Sequence, residues 1–129
     1  DKTGNSPLLA ASMRGLPEVV ISLLAHGADV DARNKNGDAP LLNAVYGSHR
    51  DIAVTLIQAG ANVNAVHRDG YTPLLTSTFK GLADVSLMLI ERDAKVNVHD
   101  RFGHTPLANA IAANMAAVVT KLKQFGARN

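Results

Sequence analysis

The sequence repeats itself every 33 residues along its whole length. Each period has a glycine and, three residues later, a proline, with no insertion or deletion between periods. The glycines and prolines are Gly4, Gly37, Gly70, Gly103, Pro7, Pro40, Pro73 and Pro106. Repetition at a period of 20 to 50 residues is typical of stacked repeat architectures. We therefore expect one domain over residues 1–129, built from four units at 1–33, 34–66, 67–99 and 100–129.

Each unit carries the signals of two helices. A hydroxyl side chain precedes the proline in three units, at Ser6, Thr72 and Thr105, where it can cap the helix that the proline begins. Ala39 takes this place in the second unit, so we expect that helix to lack its side-chain cap. A second apolar stretch follows and closes at a glycine in three units. Asp93 replaces this glycine in the third unit, where a left-handed backbone strains other residues.

Packing between units must hold the chain together, because neither helix of a unit is long enough to be stable alone. Hydrophobic residues make up 47% of the sequence but aromatic residues only 4%, which predicts an aliphatic core. Leucine recurs in the second helix, and a small residue recurs in the first helix where neighbours approach closely. These positions are Leu23, Leu56, Leu89, Leu122, Ala11, Ala44, Ser77 and Ala110.

The segments Gly70–Leu75 and Gly103–Leu107, with the closing segments Gly27–Ala32 and Gly60–Ala65, resemble the ankyrin-repeat family. The resemblance covers the whole chain. It implies an all-α solenoid of helix-turn-helix units with projecting β-turn fingers, and a role in protein binding. The histidine that the family has after Pro-Leu is missing, which replaces a polar bridge by hydrophobic packing. The residues at this position are Leu9, Leu42, Leu75 and Ala108.

Residues that could support catalysis or bind a cofactor are sparse. The sequence has no cysteine, which excludes disulfides, a thiol nucleophile and thiolate zinc sites. His67 and His99 lie on adjacent turns, and we interpret them as solvated turn residues rather than as metal ligands. No nucleophile motif or phosphate-binding glycine loop is present. We expect no enzyme activity, no cofactor and no metal site.

The compartment stays open at this point. No apolar run approaches the roughly 18 residues needed to cross a bilayer, so we expect no membrane association. A chain without cysteine suits the cytoplasm, and it equally suits an exported protein, for example in a bacterial periplasm, whose signal peptide has been removed.

Six positions of each unit remain for recognition by resemblance to ankyrin binders: the second, third, fifth, thirteenth, fourteenth and last. The second position is basic in every unit, and four of the five aromatic residues fall at these positions. The basic column is Lys2, Lys35, Arg68 and Arg101. The candidate partner-binding residues are Met13, Arg14, Arg33, Lys35, Tyr46, Arg68, Tyr71, Phe79, Lys80, His99, Arg101, Phe102 and His104. The pattern predicts an exposed aromatic patch rimmed by cations, with a structural alternative in which Met13 and Phe79 are half-buried packing.

Three functional hypotheses follow. The first is a monomeric protein-binding module that uses its concave face and turn tips against a partner with an acidic or mixed surface. The second is an inhibitor or immunity-type protein that occludes the active site of an enzyme. The third is nucleic-acid binding through the basic column, and a net charge of only +2 argues against it.

The two ends of the predicted stack differ. Lys121 and Lys123 give the last unit the polar outer face of an end cap. Ile21 and Leu24 give the first unit no such face, which indicates a covered N-terminal face or an upstream segment. Ile21 also belongs to a column with Val54 and Leu87, which predicts either slightly rotated outer helices or an apolar stripe on the back of the stack.

Overall fold

The computed structural model describes residues 4–128 and contains eight α-helices in that range. The helices are α1 (Pro7–Arg14), α2 (Pro17–Ala25), α3 (Pro40–Tyr46), α4 (Arg50–Gln58), α5 (Pro73–Lys80), α6 (Ala83–Glu91), α7 (Pro106–Ala112) and α8 (Ala116–Gln124). Each odd-numbered helix packs on the even-numbered helix that follows it, and helices of each kind pack on the next of their kind. The predicted all-α solenoid of helical hairpins is confirmed. No helix in the described range is long and apolar enough to span a bilayer.

The odd-numbered helices begin as the sequence predicts. The side-chain oxygens of Ser6, Thr72 and Thr105 accept the backbone N–H three residues later, at 3.1, 3.2 and 3.1 Å. Ala39 precedes Pro40 with the same extended backbone but makes no side-chain cap. The proline itself needs no partner, because the first backbone donors of a helix have none within it.

A projecting turn, here called a finger, lies before each of α3, α5 and α7. The fingers span residues 34–38, 67–71 and 100–104. Each is closed by two backbone hydrogen bonds, and in the second finger Gly70 N–H donates to His67 O at 2.8 Å and His67 N–H to Tyr71 O at 2.9 Å. The glycine has a φ of 80° to 93° in all three fingers, a left-handed conformation that favours glycine. The predicted β-turn fingers are confirmed.

The core is aliphatic, as predicted. Leu8, Leu41, Leu74 and Leu107 are at most 3% exposed, and no phenylalanine or tyrosine side chain is among the buried residues of the described chain. The small residues at the helix contacts are also buried, and the Ser77 hydroxyl there is satisfied by Ser86 Oγ at 2.7 Å. On the back of the stack, Ile21 is 55% exposed while Val54 and Leu87 are half-buried. An apolar stripe therefore remains on this surface, most exposed in the first unit.

Within residues 4–128, three residues other than glycine adopt a left-handed backbone: Ser48, Asp93 and Asn114, with φ of 59°, 65° and 58°. Asp93 stands where the other units have glycine, as the sequence analysis predicts. Ser48 follows a glycine that comes one residue early, so the serine occupies the left-handed position itself.

We expect the substitution Ala39→Ser to raise the free energy of unfolding by about 1 kcal/mol, because it supplies the missing cap of α3. The matched capping bond at Thr72 forms at a position that is likewise buried, at 8% exposure. Urea denaturation followed by circular dichroism measures the effect. A stability equal to or below that of the unsubstituted chain would show that Ala39 is kept for packing against Leu42 and Ala65.

Candidate functional site

Four aromatic side chains meet in one cleft on the surface formed by the odd-numbered helices and the fingers. Tyr46 ends α3, Phe79 lies near the end of α5, and Tyr71 and Phe102 come from the second and third fingers. The cleft has a volume of about 330 Å³. Lys80 and His104 also line it, so six of the thirteen candidate residues share this one site.

The rings of the cleft are largely exposed to solvent. The exposed fraction is 74% for Phe102, 71% for Phe79 and 59% for Tyr46. Half-buried packing is therefore the wrong interpretation of Phe79. Side chains of this size gain binding energy when a partner removes them from water, at roughly 25 cal/mol per Å² of apolar surface.

Tyr71 differs from the other three because it also belongs to the structural framework. It is half-buried and packs against Ala39, Leu42 and Ala65. Its ring stacks on that of His67 with centroids 4.4 Å apart and an interplanar angle of 8°. Burial raises the pKa of the Tyr71 phenol, and the nearby carboxylates of Asp69 and Asp38 raise it further, so the phenol stays protonated at neutral pH.

His67 lies beneath the ring of Tyr71. Its interpretation as a solvated residue was wrong. The side chain is only 8% exposed. Its Nδ1 accepts the backbone N–H of Asp69 at 3.1 Å, so Nε2 carries the proton and donates to Asp38 Oδ1 at 3.1 Å. The hydrogen bond to Asp38 joins two neighbouring fingers and holds the Tyr71 platform in place.

Cations stand at the rim of the cleft. Lys80 Nζ lies 4.7 Å from the centre of the Tyr46 ring, and the Arg101 guanidinium lies 5.3 Å from that of Phe102. Both distances fit cation–π contacts. These contacts hold positive charge beside the rings without neutralising it.

Five other candidate residues do not line the cleft. Arg33 donates to the carbonyls of Gly37 and Val66 at 2.7 and 2.6 Å and thereby links two units. Arg68 makes a long contact of 3.4 Å with Asn36 Oδ1, and His99 Nδ1 lies 3.0 Å from the Asp100 carbonyl. Arg14 and Lys35 are exposed. Lys2, the first member of the basic column, lies outside the described residues.

A second hollow extends the cleft on the side of α1. Met13, which is 45% exposed, lines it together with Asn43, Tyr46 and Tyr71. The Nδ2 atom of Asn43 is buried and makes no hydrogen bond within residues 4–128. The sequence pattern does not single out Asn43, and its signal is weak: Asn109 has the same position two units later, where its Nδ2 donates to the Leu75 carbonyl at 3.3 Å.

Asp100 fixes the third finger at the edge of the cleft. Its carboxylate accepts the backbone N–H of Phe102 at 2.8 Å and both the backbone N–H and Nδ1 of His104 at 2.9 Å. Desolvation opposes ionisation of this group, but the hydrogen bonds from His104 and Phe102 outweigh it, so the pKa of Asp100 lies below its ordinary value of 3.8. Asp100 itself also lines the cleft.

The groups that the cleft presents are suited to noncovalent contacts. Aromatic rings, the methyl groups of Leu75 and Thr76, and the Lys80 ammonium face the same space. Within the described range, no three side chains of the kinds that bind metals lie close enough together to hold an ion.

Comparison with known protein families gives one result that bears on this geometry. The family model described as ankyrin repeats (3 copies) matches residues 1–67, which is 67 of the 129 residues. The glycine and proline positions of the matched part continue in the same register to Gly103 and Pro106. No curated protein matches the chain.

We expect Tyr71→Ala to lower the free energy of unfolding by about 1–3 kcal/mol, because it removes a half-buried ring that packs on the core. Phe102→Ala removes a ring of similar size that is 74% exposed, so the change should stay within about 0.5 kcal/mol. Chemical denaturation of both variants measures the difference. Equal losses would contradict the separate roles assigned to the two rings.

The stability contributed by Asp100 should depend on pH. Because its pKa is lower in the folded chain than its ordinary value of 3.8, the contribution is present above that value and is lost as the pH falls through the folded pKa. Asp100→Asn keeps an acceptor for the finger N–H groups, as Asn34 does for Asn36 N–H at 2.9 Å, but does not titrate. We therefore expect the variant to lose less stability between about pH 6 and about pH 3. If the free energy of unfolding falls equally with pH in the two chains, this role of Asp100 is contradicted.

Proposed function

Because the chain belongs to the ankyrin-repeat family, we propose that it binds a partner protein through the aromatic cleft and the fingers around it. Ankyrin repeats are generally protein–protein interaction modules, and the family is generally non-catalytic. The proposal assigns the binding to particular side chains of this chain: Met13, Arg14, Arg33, Lys35, Tyr46, Arg68, Tyr71, Phe79, Lys80, His99, Arg101, Phe102 and His104.

The observation that carries the proposal is the segregation of the aromatic residues. The buried core is aliphatic, yet Tyr46, Phe79 and Phe102 are more than half exposed and lie in one cleft. Phe79 and Phe102 bury little surface in the stack, so folding gives little reason for them. Tyrosine, phenylalanine and arginine are enriched at the centres of protein interfaces, where a few such residues supply most of the binding energy.

The charges around the cleft favour a partner with an acidic rim. Lys80 and Arg101 lie over rings of the cleft. Lys35 and Arg68 on the fingers and Arg14 on α1 are exposed to solvent. The Asp100 carboxylate, the acidic group that lines the cleft, is engaged by His104. Complementary charge of this kind chiefly raises the association rate and the specificity.

The cleft and the second hollow together favour a protruding segment of the partner over a flat surface. The cleft volume of about 330 Å³ accommodates an apolar anchor side chain between the rings. Met13, which is 45% exposed, extends the apolar lining into the adjoining hollow. An apolar anchor flanked by carboxylates therefore matches the groups on the surface.

We expect the double substitution Phe79→Ala and Phe102→Ala to abolish partner binding while leaving the fold intact, because both rings are more than 70% exposed. The matched control is Phe125→Ala, which removes a ring that is 44% exposed on the terminal hairpin outside the cleft. Immobilised chains capture proteins from an extract of the source organism, and quantitative mass spectrometry compares what each retains.

The outcomes separate cleanly. Proteins held by the unsubstituted chain and by the Phe125 variant, but not by the double variant, support the proposal. The same proteins held by all three contradict it. If the captured protein is an enzyme, assays of its turnover with and without the chain test the inhibitor hypothesis.

A further inference from the structure

The N-terminal end of the stack exposes apolar side chains at positions that the later units bury. Val19 on α2 is 46% exposed, Leu23 is half-buried and Pro7 is exposed. Their equivalents in the other units are all buried: Ile52, Val85, Val118, Leu56, Leu89, Leu122, Pro40, Pro73 and Pro106. In each later unit the preceding hairpin supplies the cover. The end face, defined by Pro7, Val19 and Leu23, is therefore one half of an interface that occurs three times within the chain.

Polar side chains cross these three internal interfaces in a fixed pattern. The backbone N–H groups of Asn62, Lys95 and Arg128 donate to side-chain oxygens of the preceding unit, at 2.8, 2.8 and 2.9 Å. The acceptors are Asp31, Asn64 and Asn97. Where the acceptor is asparagine, its Nδ2 also donates to a carbonyl of the following unit, at 3.4 Å to Asp93 and 3.0 Å to Gly126.

The corresponding groups of the first unit are the backbone N–H of Asp29 and the carbonyl of Gly27. Neither has a hydrogen-bond partner among the residues that the structure describes. Both residues line a groove of about 330 Å³ that also contains Pro7 and Leu23. The Asp29 N–H and the Gly27 carbonyl are thus unpaired beside the uncovered apolar surface. At the last internal interface, the side chain of Asn97 bonds to the equivalent donor and acceptor.

We propose that the end face is a docking surface for one further helical hairpin of the same repeat type, with an asparagine at the position equivalent to Asn64. The hairpin stacks in the register of the internal interfaces, so its aliphatic side chains cover Val19 and Leu23. Its asparagine accepts the Asp29 N–H and donates to the Gly27 carbonyl. A carboxylate at that position satisfies only the N–H, because it cannot donate.

The C-terminal end of a second copy of the chain does not match this surface. At the ninth position of the unit, the first three units have a buried leucine that packs toward the next unit, while the last unit has Ala108. The leucines are Leu9, Leu42 and Leu75. The C-terminal end also presents Lys123 where Ile57 and Ile90 are buried, so stacking would desolvate an ammonium group against aliphatic side chains. Lys121 at the same end already pairs with Glu91 at 3.0 Å. The C-terminal end therefore carries ammonium groups where the N-terminal end exposes aliphatic side chains.

The test extends the full chain by fusing a second copy of residues 34–66 in front of residue 1, which places a copy of Asn64 opposite the end face. We expect the amide hydrogen of Asp29 to exchange at least about tenfold more slowly in the extended chain, as measured by NMR. In the added unit, Asn64→Ala should abolish this protection and Asn64→Asp should keep it. Unchanged exchange at Asp29 in the extended chain would overturn the proposal.

A second measurement separates docking from a mere effect of chain length. Val19→Lys should lower the denaturation midpoint of the extended chain and return the Asp29 amide to fast exchange, yet change the midpoint of the unextended chain little, since Val19 is exposed there. Thr120→Lys on the exposed surface of α8 is the control and should leave Asp29 protected. A self-associated form of the unextended chain in which Asp29 is already protected would instead identify a second copy as the occupant and refute the proposal.

Discussion

The packing of aliphatic side chains between neighbouring hairpins is the interaction on which the rest of the structure depends. Helices of seven to nine residues are too short to be stable in water, so each one depends on a neighbouring unit that covers its apolar side. Leu56, Ile57, Leu89 and Ile90 are fully buried in this way. Since the contacts are local and repeated, the stack needs no aromatic residue in its interior, and the aromatic residues are left on the surface.

Much of the fold could be predicted because the repeated residues act locally. A hydroxyl before proline caps a helix whatever surrounds it, and Asp93 adopts the left-handed backbone that its column requires. His67 could not be placed in the same way. Its burial depends on Tyr71 folding over it and on Asp38 reaching it from the preceding finger, which are contacts between turns that periodicity does not describe.

In the candidate site, too, the repeat predicts the positions of residues but not the contacts between their side chains. The sequence placed Tyr46, Tyr71, Phe79 and Phe102 at positions without a packing role, and the structure brings all four into one cleft. The sequence could not show that Tyr71 packs against the core while Phe102 is largely exposed, because that difference depends on the neighbouring side chains. Asn43 escaped notice for a related reason, since its unpaired Nδ2 becomes evident only when the surrounding acceptors are located.

The two proposed surfaces, the end face and the cleft, use different residues because they recognise different features of a partner. The end face offers aliphatic side chains and a backbone donor and acceptor at fixed spacing, which select a partner with the geometry of another hairpin. The cleft offers exposed rings and cations, which select by side-chain shape and charge. They share no lining residue, since the groove of the end face lies in the first unit and the cleft spans the second to the fourth. A hairpin bound at the end face therefore leaves the cleft accessible, and the chain can bind a hairpin and a partner protein at the same time.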